Sequence, residues 1–189
     1  GVRSDSDLYT FGYRFKPWVG APIASAEEIL KYMGDVIEEN DLHDHIHYGH
    51  VITQCSFSRE TNLWTVEAMS KADGKTHRFT CNFLWMCQGY YNHNDPYIPD
   101  WPGRDTYKGE FIHAMKWTPE TDVTGKRVIV IGSGATAATI IPAMAGKAAH
   151  VTMLQRSPTY FFCSPNQNEL ADRLREVGID EPTIHRVVR

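Results

Sequence analysis

The run Val128-Ile129-Val130-Ile131 is apolar and β-branched throughout, and it breaks into Gly132-Ser133-Gly134-Ala135-Thr136-Ala137 before a stretch of small residues. An unbroken β-branched run suits a strand covered on both faces, as in a parallel sheet. In the G-x-G-x-x-A turn that follows, Gly132 permits the tight bend and Gly134 lets the backbone approach a ligand. Ala137, in place of a third glycine, still lets helix and strand pack closely. The next helix would present unpaired N–H groups and the positive end of its dipole to an anion. A lone G-x-G-x-x-A also marks ordinary βα turns. Here a second strand-like run, His150 to Gln155, follows at the interval a crossover helix needs, which favours a dinucleotide site over residues 132–137.

The end of that second run selects the coenzyme. A carboxylate there would bind a ribose 2′-hydroxyl, as for NAD, whereas this chain has Arg156-Ser157. A guanidinium binds phosphate oxygens bidentately and a serine donates one more hydrogen bond, so the pair points to the 2′-phosphate of NADPH. The alternative is an arginine on a loop with no partner.

The 189 residues carry a net charge of −4 with pI near 6.1, which gives no electrostatic footprint for nucleic acid or an anionic membrane. No apolar run approaches the roughly 20 residues needed to span a bilayer, and no signal peptide or lipidation motif is seen. Cys55, Cys81, Cys87 and Cys163 include no C-x-x-C pair, so buried thiols in a reducing cytoplasm are expected rather than disulfides or a metal site. The chain opens on Gly1-Val2-Arg3 and runs only about 30 residues past one β-α-β start. One such unit cannot cover both faces of a parallel sheet, so an internal fragment of a longer protein is expected.

Along the chain, Tyr9, Phe11, Tyr13, Phe15 and Trp18 alternate with other residues and suggest an edge strand. Ser25-Ala26-Glu27-Glu28 reads as a capping box opening a helix that carries Ile29, Met33, Val36 and Ile37 and ends near Asn40. Strands are expected over 46–56, 63–68 and 76–86 at hairpin spacing, with a turn at 71–74. The last ends in Phe83-Leu84-Trp85-Met86-Cys87, apolar on both faces as in a buried parallel strand. A Pro/Asp/Asn-rich loop over 92–103 suggests a domain boundary within 90–105, and a polar helical segment is expected over 168–188. His43, His45, His47 and His50 have strand-face spacing that could hold zinc, but no further ligand with a clear signature completes the set, and no metal is expected. Pro142 should kink the helix after Ala135.

Several segments together resemble the class B flavoprotein monooxygenases, the flavin-containing and Baeyer–Villiger monooxygenases. Tyr107-Lys108-Gly109-Glu110-Phe111-Ile112-His113-Ala114-Met115-Lys116-Trp117 is similar to the F-x-G-x-x-x-H-x-x-x-W fingerprint of that family and precedes the glycine turn by the family's interval. Gly1 to Asp7 resembles its G-x-R-x-D segment, and Phe83 to Gly89 the strand and glycine that return the chain from the FAD domain to the NADP domain. The resemblance runs across nearly the whole chain. It implies an α/β fold of two dinucleotide-binding Rossmann-like domains, for FAD and NADP, both incomplete here, with an antiparallel β-meander in the FAD part. Residues 1–100 would be the C-terminal part of the FAD-binding domain and residues 101–189 the N-terminal part of the NADP-binding domain.

The activity implied is FAD- and NADPH-dependent monooxygenation of a small organic molecule with O2, through a C4a-(hydro)peroxyflavin that bound NADP+ protects. The protein would supply position, charge and exclusion of water. Residue by residue, Asp5 matches the family aspartate beside the flavin and nicotinamide, Val51 the position whose backbone pairs with the FAD adenine, and His113 the fingerprint histidine linking the domains. Trp117 favours the Baeyer–Villiger-like branch, although Tyr107 replaces Phe and Thr118 stands where that branch has Pro or Asp. No FAD glycine motif lies in the chain, so the fragment by itself is expected to be inactive. Two rival readings are a two-domain FAD/NAD(P) disulfide-type reductase, which needs a redox cysteine pair absent from this stretch, and a nucleotide-binding fragment without catalysis. Substrate and oligomeric state are not legible.

Overall fold

A computed structural model describes residues 3–161 and 163–189. Contacts group residues 1–39 with 111–189 in one compact unit and residues 40–110 in another.

In the first unit, a short helix α1 (Leu8–Phe11) opens on Asp7, whose carboxylate accepts from Tyr9 N–H at 2.8 Å. The edge strand expected from aromatic alternation is therefore not formed. Asp7 caps a helical turn, Gly12 ends it, and the alternation splits instead into buried Tyr9 and Trp18 and exposed Phe11 and Phe15. Helix α2 (Ala26–Glu39) begins with the anticipated capping box: Ser25 N–H donates to Glu28 Oε2 at 2.7 Å and Glu28 N–H donates to Ser25 Oγ at 3.3 Å. These hydrogen bonds from Ser25 hold the Glu28 carboxyl below its usual range.

The rest of this unit supplies strand β4 (Arg127–Ile131), helix α3 (Ala135–Met144) and strand β5 (His150–Leu154). β4 and β5 pair in parallel, Arg127 opposite His150 through Ile131 opposite Leu154. Val128, Val130, Val151 and Met153 are half-buried, while Ile129, Ile131 and Leu154 on the other face are exposed. α3 contains Pro142 and stops two residues later, with Ala145 N–H returning to Pro142 C=O. The polar helical segment expected over 168–188 is two helices, α4 (Glu169–Glu176) and α5 (Glu181–Val188), separated at Gly178 (φ 79°). It is not polar on every side. Ala171 and Ile184 join Leu8, Tyr9, Trp18 and Ala24 in the core of the unit, with Ile29, Tyr32, Leu174 and Val188 packed around it.

The second unit is an antiparallel meander of β1 (His50–Ser58), β2 (Leu63–Ser70) and β3 (Thr76–Cys81), in that spatial order. A register shift between Ile52 and Gln54 kinks β1. The turn at 71–74 forms as expected: Ser70 N–H donates to Lys75 C=O at 2.9 Å, and Gly74 takes φ 70°. The expected extension of the third strand to Met86 is not formed. β3 ends at Cys81, and Phe83 and Trp85 are 77% and 78% exposed. A strand apolar on both faces needs sheet or helix neighbours on both sides, and the described residues place none there. His43 and His45 lie in a 3₁₀ turn (His43–His45), not on a strand face. The four cysteines are free as expected, but none is buried: Cys55 and Cys81 are half-buried in strands, and Cys87 and Cys163 are exposed in irregular segments.

Candidate functional site

The end of β4, the start of α3 and the end of β5 meet in the first unit. Gly132 leaves β4 with φ 119°, a region costly to any residue with a Cβ, and its N–H donates to Leu154 C=O at 2.9 Å. Ser133 is half-buried, and its Oγ lies 2.8 Å from Thr159 Oγ1. Gly134 is the N-cap of α3. Ala137 is buried, as close helix–strand packing requires, while Ala135 and Thr136 are exposed. The first hydrogen bond of α3 runs from Ala138 N–H to Gly134 C=O at 3.0 Å, so the N–H groups of Ala135, Thr136 and Ala137 open the helix ahead of it.

That helix start differs from the others. α1 is capped by Asp7, α2 by Ser25, α4 by Asn168 and α5 by Asp180, each through a side-chain oxygen. α3 has no side-chain cap, and a Cβ built on Gly134 or on Gly132 meets no atom within 4 Å. The turn is open above its own backbone donors. A diphosphate fits such a cradle on three counts: unpaired N–H groups, a positive dipole end and room for close approach.

Beyond β5, Arg156 and Ser157 are exposed. Neither has a hydrogen bond or ion pair to another described residue, and three acidic side chains of the following helices are engaged with other partners. Asp172 and Glu181 both go to Arg175, and Asp180 to Thr183. The Arg156 guanidinium is thus five uncommitted donors on a loop that starts where the glycine turn is anchored. The segment continues to Asn166, whose side-chain amide brackets Ile23: Ile23 N–H donates to Asn166 Oδ1 and Asn166 Nδ2 donates to Ile23 C=O, both at 2.8 Å. Pattern reading missed Thr159 and Asn166, because their partners lie 26 and 143 residues away and leave no local signature.

The other expected residues are placed as follows. Asp5 is exposed in a bend; Gly1 and Val2 of the same motif lie outside the described residues. Its segment docks through Ser4, whose N–H donates to Ala24 C=O at 2.8 Å and whose Oγ accepts from Ala24 N–H at 3.1 Å. His113 caps a 3₁₀ turn (Ala114–Lys116), its Nδ1 accepting from Met115 N–H at 3.2 Å, which puts the proton of a neutral ring on Nε2. Trp117 ends the same turn and is partly exposed. Val51 belongs to the second unit, on β1 opposite Met69, and β1 is an edge strand whose outward backbone groups are not used by β2. In the fingerprint, a Cβ on Gly109 would collide with the Tyr107 ring, which lies across it, so the aromatic and the glycine two residues on form one packed pair.

His47, His50 and Phe79 line a hollow of about 250 Å³ on the meander, with Ile52, Val66 and Ala68. The rings of His47 and His50 are 5.9 Å apart, and among the described residues no group of His, Cys, Asp or Glu converges to hold a metal. No helix among them is long and apolar enough to cross a membrane.

The chain is similar to known flavin-dependent monooxygenases. The family model described as flavin-binding monooxygenase-like matches residues 22–168. The FAD-containing monooxygenase EthA of Mycolicibacterium smegmatis is 44% identical over 175 residues, covering 92% of this chain and 35% of that protein. Among solved structures, OTEMO in complex with FAD and NADP aligns with a TM-score of 0.68 at 30% identity, over 97% of this chain and 36% of that one. Cyclohexanone monooxygenase bound to ε-caprolactone aligns with a TM-score of 0.71 at 26% identity, over 99% of this chain and 36% of that one. The mixed α/β fold with its three-stranded antiparallel sheet is the one seen in those structures. The chain spans a little over a third of the length of the curated relatives it matches. It belongs to the flavin-binding monooxygenase-like family.

Proposed function

We propose that this chain is a coenzyme-binding part of an FAD- and NADPH-dependent monooxygenase that inserts one atom of O2 into a small organic molecule. Residues 1–100 belong on this reading to the FAD-binding Rossmann-like domain and residues 101–189 to the NADP-binding one. The observation that carries it is the uncapped start of α3 above two glycines with open space, followed by an uncommitted Arg156. Relatives named for FAD and a neighbour solved with FAD and NADP support the same pair of cofactors.

The N–H groups of Ala135, Thr136 and Ala137, with the bare Gly134 backbone, hold the NADPH diphosphate, and Ser133 borders it. Arg156 grips the 2′-phosphate and Ser157 adds a hydroxyl donor. Bound flavin supplies the electron transfer and O2 activation that no side chain here can perform. For FAD the fit is partial: the chain contains no second glycine turn, and what it contributes is the outward edge of β1 at Val51 and the exposed Asp5 carboxylate. Asp5 orients the nicotinamide beside the flavin. His113 and Trp117 set the 3₁₀ turn that leads into the coenzyme domain, and with Trp117 the branch is Baeyer–Villiger-like.

Substitution tests the reading. In the full-length protein, Arg156→Ala should raise KM for NADPH about 10- to 100-fold, the effect of losing a charge-assisted pair of hydrogen bonds of roughly 1.5–3 kcal/mol, and leave NADH little changed. An unaltered NADPH/NADH preference in steady-state kinetics would remove the 2′-phosphate role. A disulfide-type reductase is the weaker alternative, since Cys55, Cys81, Cys87 and Cys163 form no redox pair.

A further inference from the structure

We infer that Thr159 determines coenzyme specificity as a positioning residue: its hydroxyl, bonded to Ser133, holds the Arg156–Ser157 loop against the glycine turn so that one adenosine 2′-phosphate dinucleotide is gripped at both of its phosphate groups. The inference deepens the coenzyme reading above and rests on it.

Residues 154–159 are attached to the turn at both ends. At one end Gly132 N–H donates to Leu154 C=O at 2.9 Å; at the other, Ser133 Oγ and Thr159 Oγ1 are 2.8 Å apart. The four residues between, Gln155, Arg156, Ser157 and Pro158, are all exposed. Pro158 has no N–H to donate, and among the described residues no backbone hydrogen bond ties residues 155–158 to another element. Arg156 and Ser157 have no hydrogen bond to another described residue, so nothing on their own side chains sets their place. The position of the guanidinium relative to the α3 N-terminus is therefore set by the two end bonds.

That separation matters chemically. A dinucleotide has a fixed span between its diphosphate and its adenosine ribose, and a guanidinium fork reads a phosphate only when its N–H groups are aligned with the oxygens. With the Thr159 bond absent, the next attachment after Leu154 is Asn166 on Ile23, and over that longer span Arg156 samples positions in which only part of that alignment is kept. NADH, which has no 2′-phosphate, does not use the fork. The bond should therefore tune the ratio between the coenzymes rather than coenzyme binding in general.

The test is steady-state kinetics of the full-length enzyme with NADPH and with NADH for Thr159→Val, Thr159→Ser and Arg156→Ala. Thr159→Val should lower the NADPH/NADH ratio of kcat/KM about three- to tenfold through KM for NADPH, the scale of one neutral hydrogen bond, with kcat and the NADH parameters near wild type. Thr159→Ser, which keeps the hydroxyl, should restore the ratio, and adding Ser133→Ala to Thr159→Val should lower it no further. A ratio unchanged in Thr159→Val, an equal loss for both coenzymes, or failure of Thr159→Ser to restore it would overturn the inference. If Arg156→Ala collapses the ratio and Thr159→Val does not, only the latch is wrong; if Arg156→Ala leaves the ratio intact, the coenzyme reading itself fails.

Discussion

At Gly134 an added Cβ would meet no atom within 4 Å, and the φ of −82° is open to any residue. Internal packing therefore does not demand glycine there. At Gly132 the demand is internal, because φ is 119°. The two positions should respond oppositely to alanine. Gly134→Ala should change folding stability by less than about 1 kcal/mol, yet weaken NADP+ binding at least about tenfold, because the methyl occupies the approach of the diphosphate. Denaturant melts beside coenzyme titration of the same full-length variant separate the two effects, and tight binding by Gly134→Ala would show that the phosphate lies elsewhere. Gly134 itself was visible in the motif. That its space is empty of protein was not, since a spacing pattern says nothing of what surrounds it.

Among elements, α4 and α5 are the clearest case of local chemistry serving distant packing. Arg175 on α4 donates Nε to Glu181 Oε1 at 2.6 Å and Nη2 to Glu181 Oε2 at 3.1 Å. It also donates Nη1 to Asp172 Oδ1 at 3.0 Å and Nη2 to Tyr9 Oη at 3.1 Å. Tyr9 in turn donates its hydroxyl to Gly20 C=O at 3.0 Å, so one guanidinium joins α4, α5 and α1. The Glu181 carboxylate is the main reason its proton is held more tightly than usual. The group is partly solvated, so its net worth is modest. Arg175→Met should destabilise the chain by about 1–2 kcal/mol, and Arg175→Lys should recover little, because an ammonium cannot form the paired bonds of a fork. Urea denaturation followed by tryptophan fluorescence measures both. Sequence periodicity located a helical segment here but could not tell one helix from two, nor name Tyr9 as a partner 166 residues away.

At the scale of the whole molecule, the least comfortable residue is His185. It is 3% exposed in α5, and among the described residues neither ring nitrogen has a hydrogen-bond partner. Burial, with smaller contributions from Arg189 just past the end of the same helix and from Arg14 of the N-terminal segment, lowers its pKa below 6.5. The folded chain thus keeps His185 neutral where the unfolded chain would protonate it. Stability from this group is complete above about pH 6.5. It falls as the pH drops through that value and levels off once the folded-state pKa is passed. His185→Leu should raise stability at pH 7 by about 1 kcal/mol, by removing an unsatisfied buried polar group, and should flatten the decline between pH 7 and 5. Denaturation midpoints at both pH values check this; an unaltered slope in His185→Leu would assign the acid sensitivity to other groups.

The strand–turn–helix of Val128 to Ala137, the capping box at Ser25, the 71–74 turn and the arginine after β5 were all legible in the sequence. Each rests on residues close together along the chain, whose φ/ψ preferences and hydrogen-bonding reach act over one turn or less. The failures share the opposite cause. Residues 83–87 looked like a buried strand from their apolarity alone, and the aromatic alternation of residues 9–18 looked like an edge strand, but strand formation needs a neighbour at pairing distance and burial needs a cover. The contacts of Thr159 with Ser133, Asn166 with Ile23, and Arg175 with Tyr9 exist only because the backbone returns from far along the chain. Local pattern sufficed to mark a glycine turn between a strand and a helix at residues 132–134. Tertiary contact alone decided that the loop carrying Arg156 is tied back to that turn through Thr159 and Ser133, because the two hydroxyls meet only once β4 and β5 have paired.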